Sequence, residues 1–338
     1  MEKGAERIAN LINNFRDVPI VVYGDLMVDH YIWGEVSRIS PEAPVVVVEV
    51  GEEDKRPGGA GNVVANLVAL GAKVRVCGVV GDDQAGHEFI AMMNSSGVDT
   101  SDVLCDKERP TTIKTRVIAR HQHVVRVDKE MRAPLSLAMS AKMLENFRKN
   151  IALGAGIIVS DYAKGAINKE IFSIATEAYF QGQLGLGIRP LVVDPKGPNY
   201  ALYSSSTVIK PNRKEAQEAS GMPIKSRAQA ISVGKELLKK WNSESVVITL
   251  GEDGMVFVAA DEKKYPTVEI DTVAREVFDV SGAGDTVLAV FTLALSSGAT
   301  PLEAAELANY AAGIVVGEVG TVAVSAEDLV KAAMRGRL

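Results

Sequence analysis

Asp285 stands directly behind three small residues, Gly282, Ala283 and Gly284, and just ahead of an apolar run over 287–295. That order predicts a loop feeding the first turn of a buried helix. Such a turn leaves backbone N–H groups without intrahelical acceptors at the positive end of the helix dipole, so it can hold an anion. The glycines carry no bulk, and a phosphate can approach the backbone closely there. A carboxylate in the same place repels phosphate. It makes sense as a base that takes a proton from an attacking hydroxyl while the N–H groups hold the developing charge. Base plus anion hole is an arrangement for phosphoryl transfer; the plainer alternative is a glycine turn with Asp285 as a helix cap.

A second group of polar residues lies near the start of the chain. Asp25 and Asp29 follow the apolar stretch 20–23, and their acceptor oxygens suit a polyhydroxy ligand. A solvated acidic loop is the alternative. Gly58 and Gly59 permit close backbone approach, and Asn62 falls where a helix begins with its amide free. Lys114, Arg116, Arg120 and Arg126 cluster within 13 residues of a chain whose net charge is -6. Arginine suits phosphate through its fork geometry, so the cluster points to a phosphorylated substrate. Edge charges that discourage strand aggregation are the other reading. His121 and His123 share a strand face but are too few to make a metal site.

The elements that must position these residues alternate. Strand-like runs over 20–23, 74–80, 156–160, 191–194, 207–210 and 245–250 are separated by helix-like segments over 62–70, 86–95, 135–151, 167–180 and 228–241. Such alternation implies an α/β fold with a mostly parallel sheet covered on both faces. The stretches 31–50 and 111–128 have strand composition without helical partners and could pair as a small separate sheet. Apolar residues make up 47% and charged ones 24%, ordinary for a globular enzyme with a sizeable core. The acidic balance argues against nucleic acid as the main partner. Cys77 and Cys105 lie 28 positions apart without metal or redox spacing, which reads as small core hydrophobes in a reducing compartment. The start of the chain is charged and amphipathic rather than a signal peptide, and no apolar run reaches the roughly 18 residues of a membrane span. A cytoplasmic protein without nucleic-acid or membrane partners is expected.

The segment Asp279-Val280-Ser281-Gly282-Ala283-Gly284-Asp285-Thr286 also resembles the signature of the ribokinase (PfkB-type) sugar kinases, departing at Val280 and Ser281 where many members have two threonines. The resemblance makes Asp285 the catalytic base and Gly282, Ala283 and Gly284 the anion hole. The family's other signature matches Gly58, Gly59 and Asn62 with Ala69-Leu70-Gly71 behind them, and implies sugar contacts there and at the first-strand aspartate. It implies one three-layer kinase domain over 1–338, with a small β lid formed by about 30–52 and 108–129 whose exposed side often makes a homodimer contact. Asn212-Arg213-Lys214-Glu215 is similar to the family's Asn-x-x-Glu, so Asn212 and Glu215 would hold Mg²⁺ through water beside ATP. The loop with Thr249, Gly251 and Gly254 would hold nucleotide phosphate and ribose, and Asn309 the adenine side. Asp279, Ser281 and the loop 320–325 are where relatives hold a monovalent cation.

Three stretches narrow the resemblance: 37–45 with Arg38, 120–128, and Ser160-Asp161-Tyr162-Ala163-Lys164-Gly165. Together with Asp194-Pro195-Lys196-Gly197 and Lys210-Pro211-Asn212 they look like the heptose-phosphate kinases of lipopolysaccharide-core synthesis. The implied reaction is ATP-dependent phosphorylation of O1 of D-glycero-β-D-manno-heptose 7-phosphate, with Arg38 among the sugar contacts and Lys196 on the nucleotide side. Many such relatives carry a nucleotidyltransferase domain behind the kinase, and this chain would be a kinase-only form. Val28, His30 and a stretch over 181–189 depart from the group's pattern. The alternatives are a kinase for ribose, fructose or a nucleoside, and a catalytically silent sugar-binding regulator, against which the intact Asp285 argues. A dehydrogenase is disfavoured because no complete GxGxxG occurs, and no Walker-type phosphate loop is present either.

Overall fold

The computed structural model describes residues 2–119, 122–181, 189–274 and 279–335. Arg120, His121 and most of the 181–189 stretch lie outside them. In chain order the elements are α1 (Glu2–Asn13), β1 (Pro19–Gly24), β2 (Leu26–Ile39), β3 (Val46–Gly59), α2 (Ala60–Ala69), β4 (Lys73–Gly81), α3 (Gln84–Ser95), β5 (Val103–Asp106), β6 (Thr112–Ala119) and β7 (Gln122–Lys129). The second half contributes α4 (Leu137–Ile151), β8 (Gly156–Ser160), α5 (Lys169–Gln181), β9 (Leu191–Asp194), β10 (Val208–Ile209), α6 (Arg213–Ser220), α7 (Arg227–Trp241), β11 (Ser245–Thr249), β12 (Met255–Ala259), β13 (Val268–Ile270), α8 (Ala283–Ser296), α9 (Pro301–Val315) and α10 (Ala326–Arg335).

The large sheet runs β13-β12-β11-β10-β9-β8-β1-β4-β5. It is parallel from β11 to β5, and β12 and β13 close one edge antiparallel. Strands β8 and β9 are buried along their whole length. Within β1, Ile20 and Val22 join one core while Val21 and Tyr23 join the other. A β-branched run buried on both faces is what a central parallel strand requires. The first core packs α1, α2, α8, α9 and α10 on one face, and the second packs α4, α5, α6 and α7 on the other. This is the expected three-layer α/β fold.

The small sheet has the order β3-β2-β6-β7. Its two hairpins are antiparallel, but they join through a parallel contact between β2 and β6. Strands β2 and β3 also run further than the sequence suggests, reaching Leu26 and Gly59. Only Asp25 separates β1 from β2, so the chain passes from the large sheet into the small one without a loop. Asp29 and Arg56 are therefore paired strand residues and not loop residues. Among the described residues no helix is long and apolar enough to cross a membrane.

Candidate active site

Helix α8 begins at Ala283 behind Gly282, whose φ of 80° is the left-handed conformation that glycine adopts without strain. A side chain at Gly282 would also press on Asn62 and Thr321. Ala283 donates its N–H back to the Val280 carbonyl at 3.3 Å, whereas Thr286 is the first to bond along the helix, to the Gly282 carbonyl at 3.0 Å. The N–H groups of Gly284 and Asp285 belong to the turn that lacks intrahelical acceptors. From Val287 to Ala294 the helix is buried all round, which anchors this turn in the core.

Asp285 is buried, and each of its oxygens has a donor. The Asn62 amide on α2 donates to Oδ2 at 2.9 Å, and the Tyr162 hydroxyl donates to Oδ1 at 2.5 Å. Burial pushes the Asp285 carboxyl up to about 6; the two hydrogen bonds and Lys210 pull against that, and Asp29 pushes with it. Asn62 is fixed in turn by Asn66, whose Oδ1 accepts from Thr286 and from the Val324 backbone. Asn62 thus faces Asp285, not open solvent.

Asp25 and Asp29 separate into different roles. Both Asp25 oxygens accept backbone N–H bonds, from Tyr162 at 2.8 Å, Lys164 at 3.0 Å and Ala166 at 3.2 Å. Asp25 braces the loop after β8 with both carboxylate oxygens, a structural role that its sequence position alone did not suggest. Burial first, and Asp161 next, raise its carboxyl to about 6. Asp29 accepts from Arg116 at 2.5 Å, and a side chain on Gly58 would collide with it. Gly59, at φ 57°, leads into α2.

Register places Asp29, Tyr31, Arg56, Asp54, Lys114, Arg116, Arg126 and Asp128 on one face of the small sheet. Arg56 and Arg116 both lie over the Tyr31 ring, and Arg56 bonds the Thr321 carbonyl beside Gly282. The charged face therefore turns towards the start of α8. Lys114 lies near Asp128 at 3.5 Å and Glu130 at 3.9 Å, and burial lowers its ammonium's pKa. Arg126 is exposed and paired with Asp128, and Arg38 is exposed at the far end of β2. Arg120 lies outside the described residues.

The residues expected at the nucleotide end form one contiguous group. Asn212 and Glu215 satisfy each other as a capping box at the start of α6. Lys196 reaches Glu215 at 2.5 Å, and Thr249 pairs with Asn212. Gly251 and Gly254 turn the following loop with φ values of 67° and 75°. Asn309 is buried and donates to the Asp271 carbonyl at 2.8 Å. Asp279 ties Ser281 to Gly320 through backbone N–H bonds, which draws the two loops expected near a monovalent cation together.

Two residues that the sequence reading left without roles join the halves. Lys210 is buried beside Asp194 at 3.0 Å, and a side chain on Gly284 would come within 3.5 Å of its Nζ. Its charge is stabilised against burial by Asp194, Glu215 and Asp285. Asp194 is pushed up to about 7 by burial first, with Lys210 pulling it down and Glu215 and Asp285 pushing it up. Tyr162 is the other. Both sit in segments noted only for overall likeness, and no spacing rule singles them out.

Residues 19–328 match the family model described as pfkB family carbohydrate kinase. The chain is similar to Bifunctional protein HldE of Geotalea uraniireducens, 45% identical over 96% of this chain and 65% of that one. It is 43% identical to Bifunctional protein HldE of Helicobacter pylori strain J99, over 92% of this chain and 65% of that one. The chain thus spans just under two thirds of the length of these curated relatives. Among solved structures, Arabidopsis thaliana ribokinase complexed with ribose and ATP superposes with a TM-score of 0.72 at 21% identity, covering 94% of this chain and 99% of that one. Escherichia coli phosphofructokinase-2 in complex with fructose-6-phosphate gives 0.75 at 16% identity, with coverage of 94% and 99%. At these identities the likeness concerns the fold.

Proposed function

The chain belongs to the pfkB family of carbohydrate kinases, and on that premise we propose that it transfers the terminal phosphoryl group of ATP to O1 of D-glycero-β-D-manno-heptose 7-phosphate. The observation that carries the phosphotransfer reading is the buried Asp285, held by two donors in the first turn of α8. There it takes the proton of the attacking hydroxyl. The free N–H groups of the turn and the buried Lys210 lie where charge develops on the transferring group, so positioning and electrostatics supply most of the rate. Asp29, rather than Asp25, is the sugar-hydroxyl acceptor in this proposal, together with Gly58 and Gly59.

Lys196, Asn212, Thr249, Gly251, Gly254 and Asn309 are proposed to hold ATP. Magnesium keeps several waters and takes few carboxylates, and the Glu215 carboxylate beside Asn212 at the start of α6 suits it chemically. When bound, Mg²⁺ would neutralise nucleotide phosphate charge. A cytoplasmic location, where ATP is supplied, is part of the same proposal. The other face of the small sheet carries Val48, Val50, Val117, Val125 and Val127, and Val50, Val125 and Val127 are exposed. An exposed apolar sheet face of this kind supports a homodimer through the lid, formed by 26–59 and 112–129.

A distal phosphate on the sugar is supported by the half-buried cations Lys114 and Arg116 on the face turned to α8. The test is kcat/KM for phosphorylated and free forms of heptose, fructose and ribose, at fixed salt because exposed charges are screened. Heptose 7-phosphate is expected to exceed free heptose by about ten- to a hundredfold, the value of one good charge-assisted contact. Faster turnover of free ribose, free fructose or a nucleoside would remove the heptose assignment.

A further inference from the structure

We infer that Tyr162 is a positioning residue for phosphoryl transfer, its phenol O–H and the Asn62 amide fixing the two oxygens of Asp285 from separate elements. The inference deepens the kinase reading and rests on Asp285 being the base.

The loop that carries Tyr162 is built to deliver this hydroxyl. Asp25 accepts three of its backbone N–H groups, including that of Tyr162 itself. Asp161 accepts from the Ala163 N–H at 2.6 Å and from Asn199 at 2.7 Å, and also bonds Tyr203. Ala163 holds a φ of 55°, which a residue with a side chain keeps only where its surroundings impose it. Two buried aspartates are therefore committed to the shape of a short loop whose outward product is one O–H on Asp285.

The consequence for chemistry follows from the surroundings of Asp285. Lys210 after β10, Asp194 at the end of β9, Asp29 on β2 and Tyr162 itself are the titratable groups around it. Asp194 and Asp29 oppose its ionisation together with burial, while Lys210, Tyr162 and Asn62 favour it. The Tyr162 phenol is held well above its usual range, so it stays a donor across the working pH. Each carboxylate oxygen accepts more than one bond, so a substrate hydroxyl can still approach an oxygen that Tyr162 already holds. A base must be ionised to act, so activity falls as pH drops through its pKa, and loss of the Tyr162 donor moves that fall to higher pH.

Tyr162→Phe removes only the hydroxyl. The acid limb of kcat is expected to move up, with kcat about tenfold below wild type near pH 5.5 and close to it by pH 8, the size of one charge-assisted hydrogen bond. KM for sugar and ATP should stay within about twofold. Replacing Tyr162 alone by 3-fluorotyrosine keeps the shape and strengthens the donor, so its limb should move down. A deficit equal at every pH, no deficit at all, or a 3-fluorotyrosine limb that does not move would overturn the inference. Asp285→Asn, measured alongside, separates the two claims, because full turnover in that variant would sink the base assignment itself.

Discussion

Arg116 and Arg126 sit directly opposite each other on β6 and β7, each bonded to an aspartate on the same face, yet they occupy different solvents. The Arg116 and Asp29 side chains are 11% and 5% exposed; that of Arg126 is 57% exposed. An exposed pair competes with water and ions and stabilises little. A buried pair has lost its hydration, so removing one partner leaves a charge that nothing replaces. Asp285 takes the same logic further, because its buried partners are two neutral donors with Lys210 nearby. The difference teaches that charge alone does not mark the site; burial beside a committed partner does.

Arg116→Gln should give the largest effect on the small sheet. It strands Asp29, and we expect sugar kcat/KM to fall by about ten- to a hundredfold, with a lower melting temperature. Steady-state kinetics and a thermal melt would show it, and an unchanged kcat/KM would erase the distinction between the pairs. Asp25→Asn should come next. An amide can accept at one oxygen but not at both positions, so the 162–166 loop loses an acceptor for a buried N–H at a cost of about 1–3 kcal/mol. The expected result is about a tenfold loss in kcat and a lower melting temperature with sugar and ATP affinity retained, read by calorimetry. A selective loss of sugar binding would return Asp25 to the ligand side. Arg126→Gln should be smallest, within about twofold in kcat/KM at physiological salt; a larger loss would show that exposure misjudges this pair.

The sequence made the large sheet legible and the small one only partly so. The residues 156–160 and 191–194 became β8 and β9 without a shift, because continuous β-branched runs have no other buried solution. The inner ends of β2 and β3 were missed because Asp29 and the glycines Gly58 and Gly59 read as loop chemistry, and only pairing across strands buries them. Asp25 and Asp29 are equivalent as residue types four positions apart. Their separation needs the fold, since one meets a backbone loop and the other an arginine from β6. Helix α6 is eight residues long, too short for its periodicity to show, although its capping pair Asn212 and Glu215 was visible as a motif. Tyr162 had no pattern at all, because a hydroxyl delivered by a braced turn leaves no spacing to read.

The most direct test of the account is single-turnover phosphoryl transfer by Asp285→Asn, with sugar and ATP affinities measured calorimetrically on the same protein. The asparagine keeps the shape and can still accept from one of Asn62 and Tyr162, but it cannot take a proton. The account predicts a loss of about 10² to 10⁴ in the transfer rate with both affinities retained. Transfer at a near-wild-type rate would contradict it.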